Sequence, residues 1–208
     1  MKLMICVKSC LRDFDRGAHD TIRATWGNAL RDLGIPTKFF VGQPTDPRRA
    51  YRFQSDELMV DAKDDYTSLP YKTRAICRWA SGKLVDYIFL ADVDTCVYPK
   101  AFAAFKYELY DYAGHMWTPE GVYPYASGGF GYFLSQKAFD EVGGGSPTDT
   151  AEDRWVGQVL GPFIKGNEML STNILAGTIS THYPFRENGI STYDPKSGWM
   201  QREHSAHQ

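Results

Sequence analysis

Residues 87–94 read YIFLADVD, a run of large apolar residues that leads directly into two aspartates flanking Val93. A continuous apolar run of this kind is typical of a strand covered on both faces, as in the parallel sheets of α/β proteins. Open α/β sheets bind ligands in the crevice outside the carboxyl ends of their strands. The pattern therefore predicts an α/β fold in which Asp92 and Asp94 lie at a ligand-binding crevice.

The sequence before this strand continues the α/β pattern. The stretches KLMICVKS, IPTKFFVG and ELMVDA predict three further strands. Apolar residues at helical spacing predict one helix over AHDTIRATWGNALRDLG, with Leu33 on its apolar stripe, and a second before Tyr87, with Leu84 on its stripe. The resulting order β-α-β-β-α-β favours parallel strands, at least in the first half of the chain.

The second half changes character. PKAFAAFKYELYDYAG predicts a helix opened by Pro99, and SQKAFDEVGGG and PTDTAEDRWVGQVLG predict two more. Between them, YPYASGGFGYFLS is a strand region interrupted by glycines. The final forty-odd residues predict short strands at most.

Composition narrows the class of protein. A chain of 208 residues with 43% hydrophobic content can bury one substantial core, so we expect one domain. A net charge of −2 argues against a nucleic-acid partner held by bulk positive charge. The sequence contains no apolar run long enough for a transmembrane segment, and its start is typical of a first strand and not of a signal peptide. The four cysteines form no C-x-x-C motif, which favours a reduced, cytoplasmic setting.

The aspartate pair carries the clearest chemistry. Carboxylates at the end of a strand can hold a hard divalent cation such as Mn²⁺ or Mg²⁺ through oxygen. Two like charges this close are unfavourable unless a cation neutralises them. The alternative is an aspartate-rich turn without a ligand.

Four other features each allow a functional and a structural interpretation. Glu152 and Asp153 are either first-turn acids favoured by the helix dipole or a source of a general base. Gly128 and Gly129 indicate either a sharp bend or a close approach of backbone to ligand.

Arg23 is either a surface residue or a phosphate contact, and His182 gains a role only if the fold brings it to the aspartates. The chain has no P-loop, and no G-x-G-x-x-G follows its first strand, which argues against ATP and NAD sites of those types.

Several motifs occur together and in order. TIRATWGN, FFVG, DDYTSLPYKT followed by RWA, IFLADVDTCVYP, YPYASGGFGYFLS and AEDRWVG resemble the β-1,3-glycosyltransferase family, which includes β-1,3-galactosyltransferases, β-1,3-N-acetylglucosaminyltransferases and Fringe proteins. The resemblance implies a single-domain GT-A fold over residues 1–208, with a Rossmann-like mixed central sheet flanked by helices. It implies a nucleotide-sugar-binding half at about 1–98 and an acceptor-binding half at about 99–208.

The same resemblance implies the reaction and the residues that perform it. It implies an inverting transfer from a UDP-sugar donor, with Mn²⁺ (or Mg²⁺), to a glycan or glycoprotein acceptor. Asp153, next to Glu152, matches the catalytic base. Asp94 matches a direct metal ligand, Asp92 a ligand or ribose contact, and His182 is the candidate third ligand ahead of His204 and His207. The expected donor contacts, in addition to the aspartates, are Arg23, Asp65, Lys72, Val93, Gly128 and Gly129.

Departures from the family pattern bear on specificity. Val93 replaces the middle acid of a triple-aspartate motif, and Arg154 replaces a valine after the Glu-Asp pair. The membrane anchor and stem of the animal enzymes are missing, which suggests a compact viral or bacterial member or one domain of a longer polypeptide. Three alternatives remain: a non-catalytic nucleotide-sugar or glycan-binding module, a glycosyltransferase acting on modified DNA bases, and a metal-dependent nucleotidyltransferase or hydrolase.

Overall fold

The structure is a computed structural model that describes residues 1–46, 48, 50–182, 191–194 and 199–202. Within these residues the strands are β1 (Leu3–Lys8), β2 (Thr37–Gln43), β3 (Glu57–Lys63), β4 (Tyr87–Asp92), β5 (Thr95–Val97), β6 (Tyr112–Gly114), β7 (Met116–Trp117), β8 (Tyr125–Ala126), β9 (Tyr132–Ser135), β10 (Ser171–Asn173), β11 (Ser180–His182), β12 (Ser191–Asp194) and β13 (Trp199–Arg202).

The helices in the same residues are α1 (Leu11–Asp15), α2 (Ala18–Ile22), α3 (Asn28–Asp32), α4 (Leu69–Ser81), α5 (Pro99–Ala104), α6 (Gln136–Gly144) and α7 (Glu152–Lys165). Ser135 caps α6: its side chain accepts a hydrogen bond from the Ala138 amide.

A seven-stranded sheet organises the molecule, in the order β10-β6-β9-β4-β1-β2-β3. β1, β2, β3 and β4 run parallel, as predicted, and β9 is antiparallel to both β4 and β6. The expected fold class, an α/β domain with a Rossmann-like mixed central sheet flanked by helices, is confirmed. Small two-stranded sheets pair β5 with β11, β7 with β8, and β12 with β13.

The strand order reverses at β1. From β1 the chain builds β2 and β3 to one side, then returns to place β4 against the other side of β1. Ligands of open α/β sheets bind outside the carboxyl ends of the strands at such a switch point. The register of the two strands pairs Lys8 with Asp92 as their last residues. The topology therefore puts the aspartate motif at the expected crevice.

Both faces of the sheet are covered, which accounts for the continuous apolar run in β4. Ile88 and Leu90 belong to a core cluster that also contains α4, α6 and α7 residues. Tyr87, Phe89 and Ala91 point to a second cluster, which also contains residues of the α2–α3 region and α5. Alternate residues of one strand thus fill two cores, and no polar position is required between them.

The single helix expected over residues 18–34 is interrupted. A π-helical turn, Arg23–Gly27, separates α2 from α3, and Thr25 has non-helical torsion angles of φ −115° and ψ −118°. The Thr25 hydroxyl donates to the carbonyl of Thr21 at 2.7 Å. This local hydrogen bond competes with the helical ladder and bends the chain. Leu33, expected on the apolar stripe, is consequently 54% exposed.

The helix predicted from Pro99 is also shorter than expected. α5 ends at Ala104, because Phe105 adopts an extended conformation, and β6 joins the central sheet between β9 and β10. Pairing of Tyr112–Gly114 with β9 overrides the helical pattern of the sequence. Leu84 was expected on the stripe of the preceding helix, but α4 ends at Ser81 and Leu84 is 86% exposed.

Candidate active site

The carboxyl ends of β1 and β4 bring a buried ammonium group against the aspartate motif. The side chain of Lys8 is 1% exposed, and its Nζ lies 3.1 Å from Asp92 Oδ1 and 2.9 Å from Glu152 Oε2. Burial lowers the pKa of the Lys8 ammonium, but the negative charges of Asp92 and Glu152 together raise this pKa by a larger amount. The net shift of the pKa is therefore upward. Lys8 is therefore a permanent positive charge at this crevice.

Glu152, the first residue of α7, is fully engaged. Its Oε2 accepts from Lys8, and its Oε1 accepts from Thr73 Oγ1 at 2.6 Å and from Tyr132 OH at 2.5 Å. Burial, followed by the Glu152 charge, raises the pKa of the Tyr132 hydroxyl, which keeps it a hydrogen-bond donor. Residues from β1, α4 and β9 thus fix the start of α7.

Asp153 lies next in the chain and is much less engaged. Its side chain is half-buried; Oδ1 accepts from the Arg154 amide at 2.8 Å, and Oδ2 lies 3.4 Å from the amide of Gly128. Arg154 is exposed and forms an ion pair with Asp149. The arginine that departs from the family pattern therefore pairs with a different carboxylate and leaves that of Asp153 available.

A second carboxylate meets the predicted histidine. Asp94 Oδ2 lies 3.1 Å from His182 Nε2, and burial followed by the Asp92 charge raises the pKa of the Asp94 carboxyl. Gly129 packs on this pair: a Cβ built on it would lie 2.7 Å from His182 Cγ. The structure thus brings His182 to the aspartates, while His204 and His207 lie outside the described residues.

The turn Gly128–Phe130 covers the network. A Cβ on Gly128 would lie 3.2 Å from Glu152 Oε2, 3.4 Å from Lys8 Nζ and 3.7 Å from Asp92 Oδ2. The Thr95 hydroxyl accepts from the Asp92 amide and donates to the Gly129 carbonyl, which joins this turn to the end of β4. The backbone of Gly128 lies close to these charged side chains, and a larger residue at position 128 would crowd them.

The oxygen and nitrogen atoms at this site are suitable ligands for a divalent cation that a substrate also binds. No group of three or more histidine, cysteine, aspartate or glutamate side chains in the described part of the chain is arranged to hold a metal ion. Asp94 and His182 nevertheless present a carboxylate oxygen and an imidazole nitrogen in contact with each other. One or two protein ligands are sufficient where substrate phosphates supply the others. The residues present therefore fit a metal of that kind.

Three other residues expected at the donor site have local partners. The Arg23 guanidinium, stacked on Phe39, pairs with Asp20, Asp56 and Glu57. Asp65 caps a short 3₁₀ turn by accepting from the Ser68 amide at 2.8 Å. Val93, between the two aspartates, is partly buried against the core. Their roles in donor binding stay predictions.

Lys72 is buried and helps to build a cavity beside the crevice. Its Nζ donates to the carbonyl of Ser9 and lies 3.1 Å from Asp64, whose carboxylate also accepts from the amides of Leu11 and Gly42. Asp64 thereby joins the loops that follow β1, β2 and β3. These loops line an open cavity of about 430 Å³, formed by Leu11, Arg12, Asp15, Arg16, Pro44, Thr45, Asp46, Tyr51 and Asp64.

The sequence did not single out Lys8, Thr73 or Tyr132. Only the parallel register of β1 and β4 reveals the partner of Lys8. The available signal for this pair was that one predicted apolar strand ends in a lysine and another ends in an aspartate.

In the described part of the chain, no helix combines the length and the apolar content needed to cross a bilayer. A search of curated proteins found no match. Three solved structures are similar to this chain at low identity. The first is a glycosyltransferase involved in the glycosylation of the major capsid of PBCV-1, with 14% identity and a TM-score of 0.41, covering 67% of this chain and 63% of that one. The second is the catalytic domain of Drosophila β1,4-galactosyltransferase 7 in complex with xylobiose, with 13% identity and a TM-score of 0.48, covering 89% of this chain and 72% of that one. The third is the inositol-1-phosphate CTP transferase from T. maritima, with 12% identity and a TM-score of 0.48, covering 88% of this chain and 89% of that one.

The chain spans less than two thirds of the first of these structures. TM-scores below 0.5 assign neither fold nor function, and the family comparison rests on the sequence. Residues 18–117 match the family model described as Galactosyltransferase. This segment contains the aspartate motif, the end of β4 and the whole of α4. Over this segment, which is just under half of the chain, the sequence is similar to the galactosyltransferase family.

Proposed function

We propose that this chain transfers a sugar from a UDP-sugar to a hydroxyl of a glycan or glycoprotein acceptor, with inversion at the anomeric carbon. The observation that carries the proposal is the position of Asp153. Its half-buried carboxylate lies against the Gly128 turn, beside the crevice formed by the carboxyl ends of β1 and β4. A general base for an acceptor hydroxyl needs this combination of access and fixed position.

The donor would occupy the crevice and the adjoining cavity. A cavity of about 430 Å³ is within the range of small-molecule sites, and its lining carries Arg12 and Arg16 beside three acids, Asp15, Asp46 and Asp64. This location favours the nucleotide part of the donor there, with its diphosphate toward Asp94 and His182. A divalent ion held by these two residues and the diphosphate would stabilise the charge that develops on the leaving group.

The proposed reaction is one displacement. The acceptor oxygen forms a bond to the anomeric carbon as the bond from that carbon to the diphosphate oxygen breaks. UDP leaves with the electron pair of that bond, and the proton of the acceptor hydroxyl passes to Asp153. Attack opposite the leaving group inverts the configuration.

Asp153 is better suited to this role than Glu152. Glu152 accepts three hydrogen bonds, and its side chain is 4% exposed. A carboxylate committed in this way is poorly placed to take a proton from a substrate. We assign Glu152 the role of fixing the N-terminus of α7, and with it the position of Asp153.

An aromatic row supports a sugar as the acceptor. Ring centroids follow one another from Trp117 to His115 (6.1 Å), to Phe130 (4.9 Å) and to His182 (6.5 Å). Trp117 is 55% exposed and lies on β7, whose partner β8 packs on α7. Rings that lead from the exposed Trp117 to the proposed metal ligand offer a surface for the apolar face of a pyranose.

The experiment is a screen of UDP-sugars with Mn²⁺, reading release of UDP and binding by calorimetry. With the best donor, Asp153→Asn is expected to lower transfer by about 10²–10⁴-fold while UDP affinity stays within about two-fold. Glu141→Gln, an exposed acid on α6, is the matched control and should retain full activity.

Normal transfer by Asp153→Asn would reject the assigned base. Failure of the wild-type protein to bind any nucleotide-sugar would reject the donor class itself.

A further inference from the structure

The position of Lys8 has a consequence for metal binding. The strand register places Lys8 directly beside Asp92, and its ammonium lies 3.1 Å from Asp92 Oδ1. Asp94, two residues further on, has no lysine or arginine partner among the described residues and pairs with His182. The two aspartates of the motif therefore differ in electrostatic environment, although the sequence presents them symmetrically.

The ammonium of Lys8 is confined to its position. It is buried, lies 5.5 Å from the centroid of the Tyr132 ring, and is also bound by Glu152. The Gly128 turn closes over it, since a Cβ on Gly128 would lie 3.4 Å from Lys8 Nζ. Lys8 cannot turn away to release Asp92 without leaving two carboxylates unpaired in a largely buried site, which is strongly unfavourable.

We propose that Lys8 acts as an internal cation that withdraws Asp92 from coordination of the divalent ion, which the proposed function already assigns to Asp94 and His182. Asp92 is then a positioning residue: it connects the end of β4 through Lys8 to Glu152, one residue before Asp153. This inference rests on the metal-dependent part of the proposed function. It also fits Val93, because a site whose first aspartate is already neutralised has no need of a third acid.

The test compares the two aspartates by Mn²⁺ affinity, without reference to turnover. Free Mn²⁺ is measured by electron paramagnetic resonance during titration of the full chain in the presence of UDP. Asp92→Asn should change the Mn²⁺ affinity by no more than about two-fold, since its amide oxygen can still accept from Lys8. Asp94→Asn should lower it by about ten-fold or more.

A gain of affinity provides the sharper measurement. Lys8→Met keeps an unbranched side chain that is one atom shorter and removes its charge, which frees Asp92 beside Asp94. We expect Lys8→Met to bind Mn²⁺ about ten-fold more tightly, because unpaired like charges favour a cation. The double variant Lys8→Met/Asp92→Asn should return to the wild-type affinity. A merely structural role of Lys8 would weaken binding or leave it unchanged.

Thermal melts and circular dichroism establish that each variant is folded. If Lys8→Met does not fold, the ranking of Asp92→Asn and Asp94→Asn still decides the question. Equal losses in these two variants, or no Mn²⁺ binding by the wild-type chain, would overturn the inference. Failure of the proposed function is distinguishable, because the wild-type chain would then bind no UDP-sugar, whatever its Mn²⁺ affinity.

Discussion

Gly129 determines where the imidazole of His182 can lie. A Cβ at this position would lie 2.7 Å from His182 Cγ and 2.9 Å from Nδ1, closer than unbonded atoms approach. Gly129→Ala must therefore displace the ring from Asp94. Because supporting contacts of this kind tune metal affinity, we expect the Mn²⁺ affinity to fall by about ten-fold, measured by the same resonance titration.

The matched control for this prediction is Gly144→Ala. Gly144 lies at the end of α6, and a Cβ there would meet no atom within 4 Å. This variant should keep the wild-type Mn²⁺ affinity and a melting temperature equal to or above that of the wild type. Equal affinities for both alanine variants would show that His182 does not bind the ion.

Residues that form short motifs were predictable, whereas those that depend on tertiary pairing were not. The sequence alone indicated Asp92, Asp94 and Asp153, because each stands at the end of a strand or the start of a helix. Lys8 and Thr73 lie 144 and 79 positions from Glu152, and no local pattern connects them to it. Their grouping follows from the strand order and the packing of α4 near α7.

Helix α7 begins with a pH-sensitive arrangement. Asp149 accepts from the Ala151 amide and pairs with Arg154, and these contacts lower the pKa of its carboxyl from 3.8 to about 2, with the hydrogen bond from Arg154 as the largest cause. Because the pKa of Asp149 is lower in the folded state, its ionised carboxylate stabilises the folded protein at pH values above the unfolded-state pKa. This stabilisation is lost as the pH falls from about 3.8 to about 2. Asp149→Asn should therefore melt about 2–4 °C below the wild type at pH 6.

The gap between the two melting curves should narrow as the pH falls from 4 toward 2. Asp32→Asn, an exposed acid on α3, is the control and should follow the wild type at every pH. A gap that stays constant with pH would mean that Asp149 acts through its geometry and not through its charge.

The β7–β8 hairpin contains the residue with which acceptor binding can be tested. Trp117 is exposed on this hairpin, which packs against α7 through Tyr125 and Gly157. Loss of the ring by Trp117→Ala should raise the KM for the acceptor about two- to ten-fold, since stacking on one aromatic ring is worth about 0.5–1.5 kcal/mol. Hydrolysis of the donor in the absence of acceptor should be unchanged. Leu33→Ala, also exposed but on the segment after α3, is the control.

Among the elements, strands were predicted better than helices. The parallel strands follow directly from their apolar runs, because both faces of the sheet are covered. The break between α2 and α3 depends on a hydroxyl of Thr25 bonded to a carbonyl, and the loss of helix after Ala104 depends on pairing of β6 with β9. Neither cause has a periodic signature in the sequence.

The predicted division at about residue 98 concerns the whole molecule. β2 lies in the first half and β9 in the second, but both belong to one sheet, connected through β4 and β1. The buried contact of Lys8 with Glu152 joins the halves again at the candidate active site. A continuous sheet and a shared buried ion pair should make the halves unfold together, in a single cooperative transition.

Native-state hydrogen exchange measures this cooperativity. The slowest amides of β2 (Thr37–Gln43) and β9 (Tyr132–Ser135) should report opening free energies within about 1 kcal/mol of each other as denaturant increases. Strand β10, an edge strand of three residues, should open more easily and serves as the internal reference. Two distinct global free energies would instead show that the two predicted halves fold as separate units. In that case, Lys8→Met should lower the stability of both halves, because the ion pair between Lys8 and Glu152 would then be a contact between two units and not part of a single core.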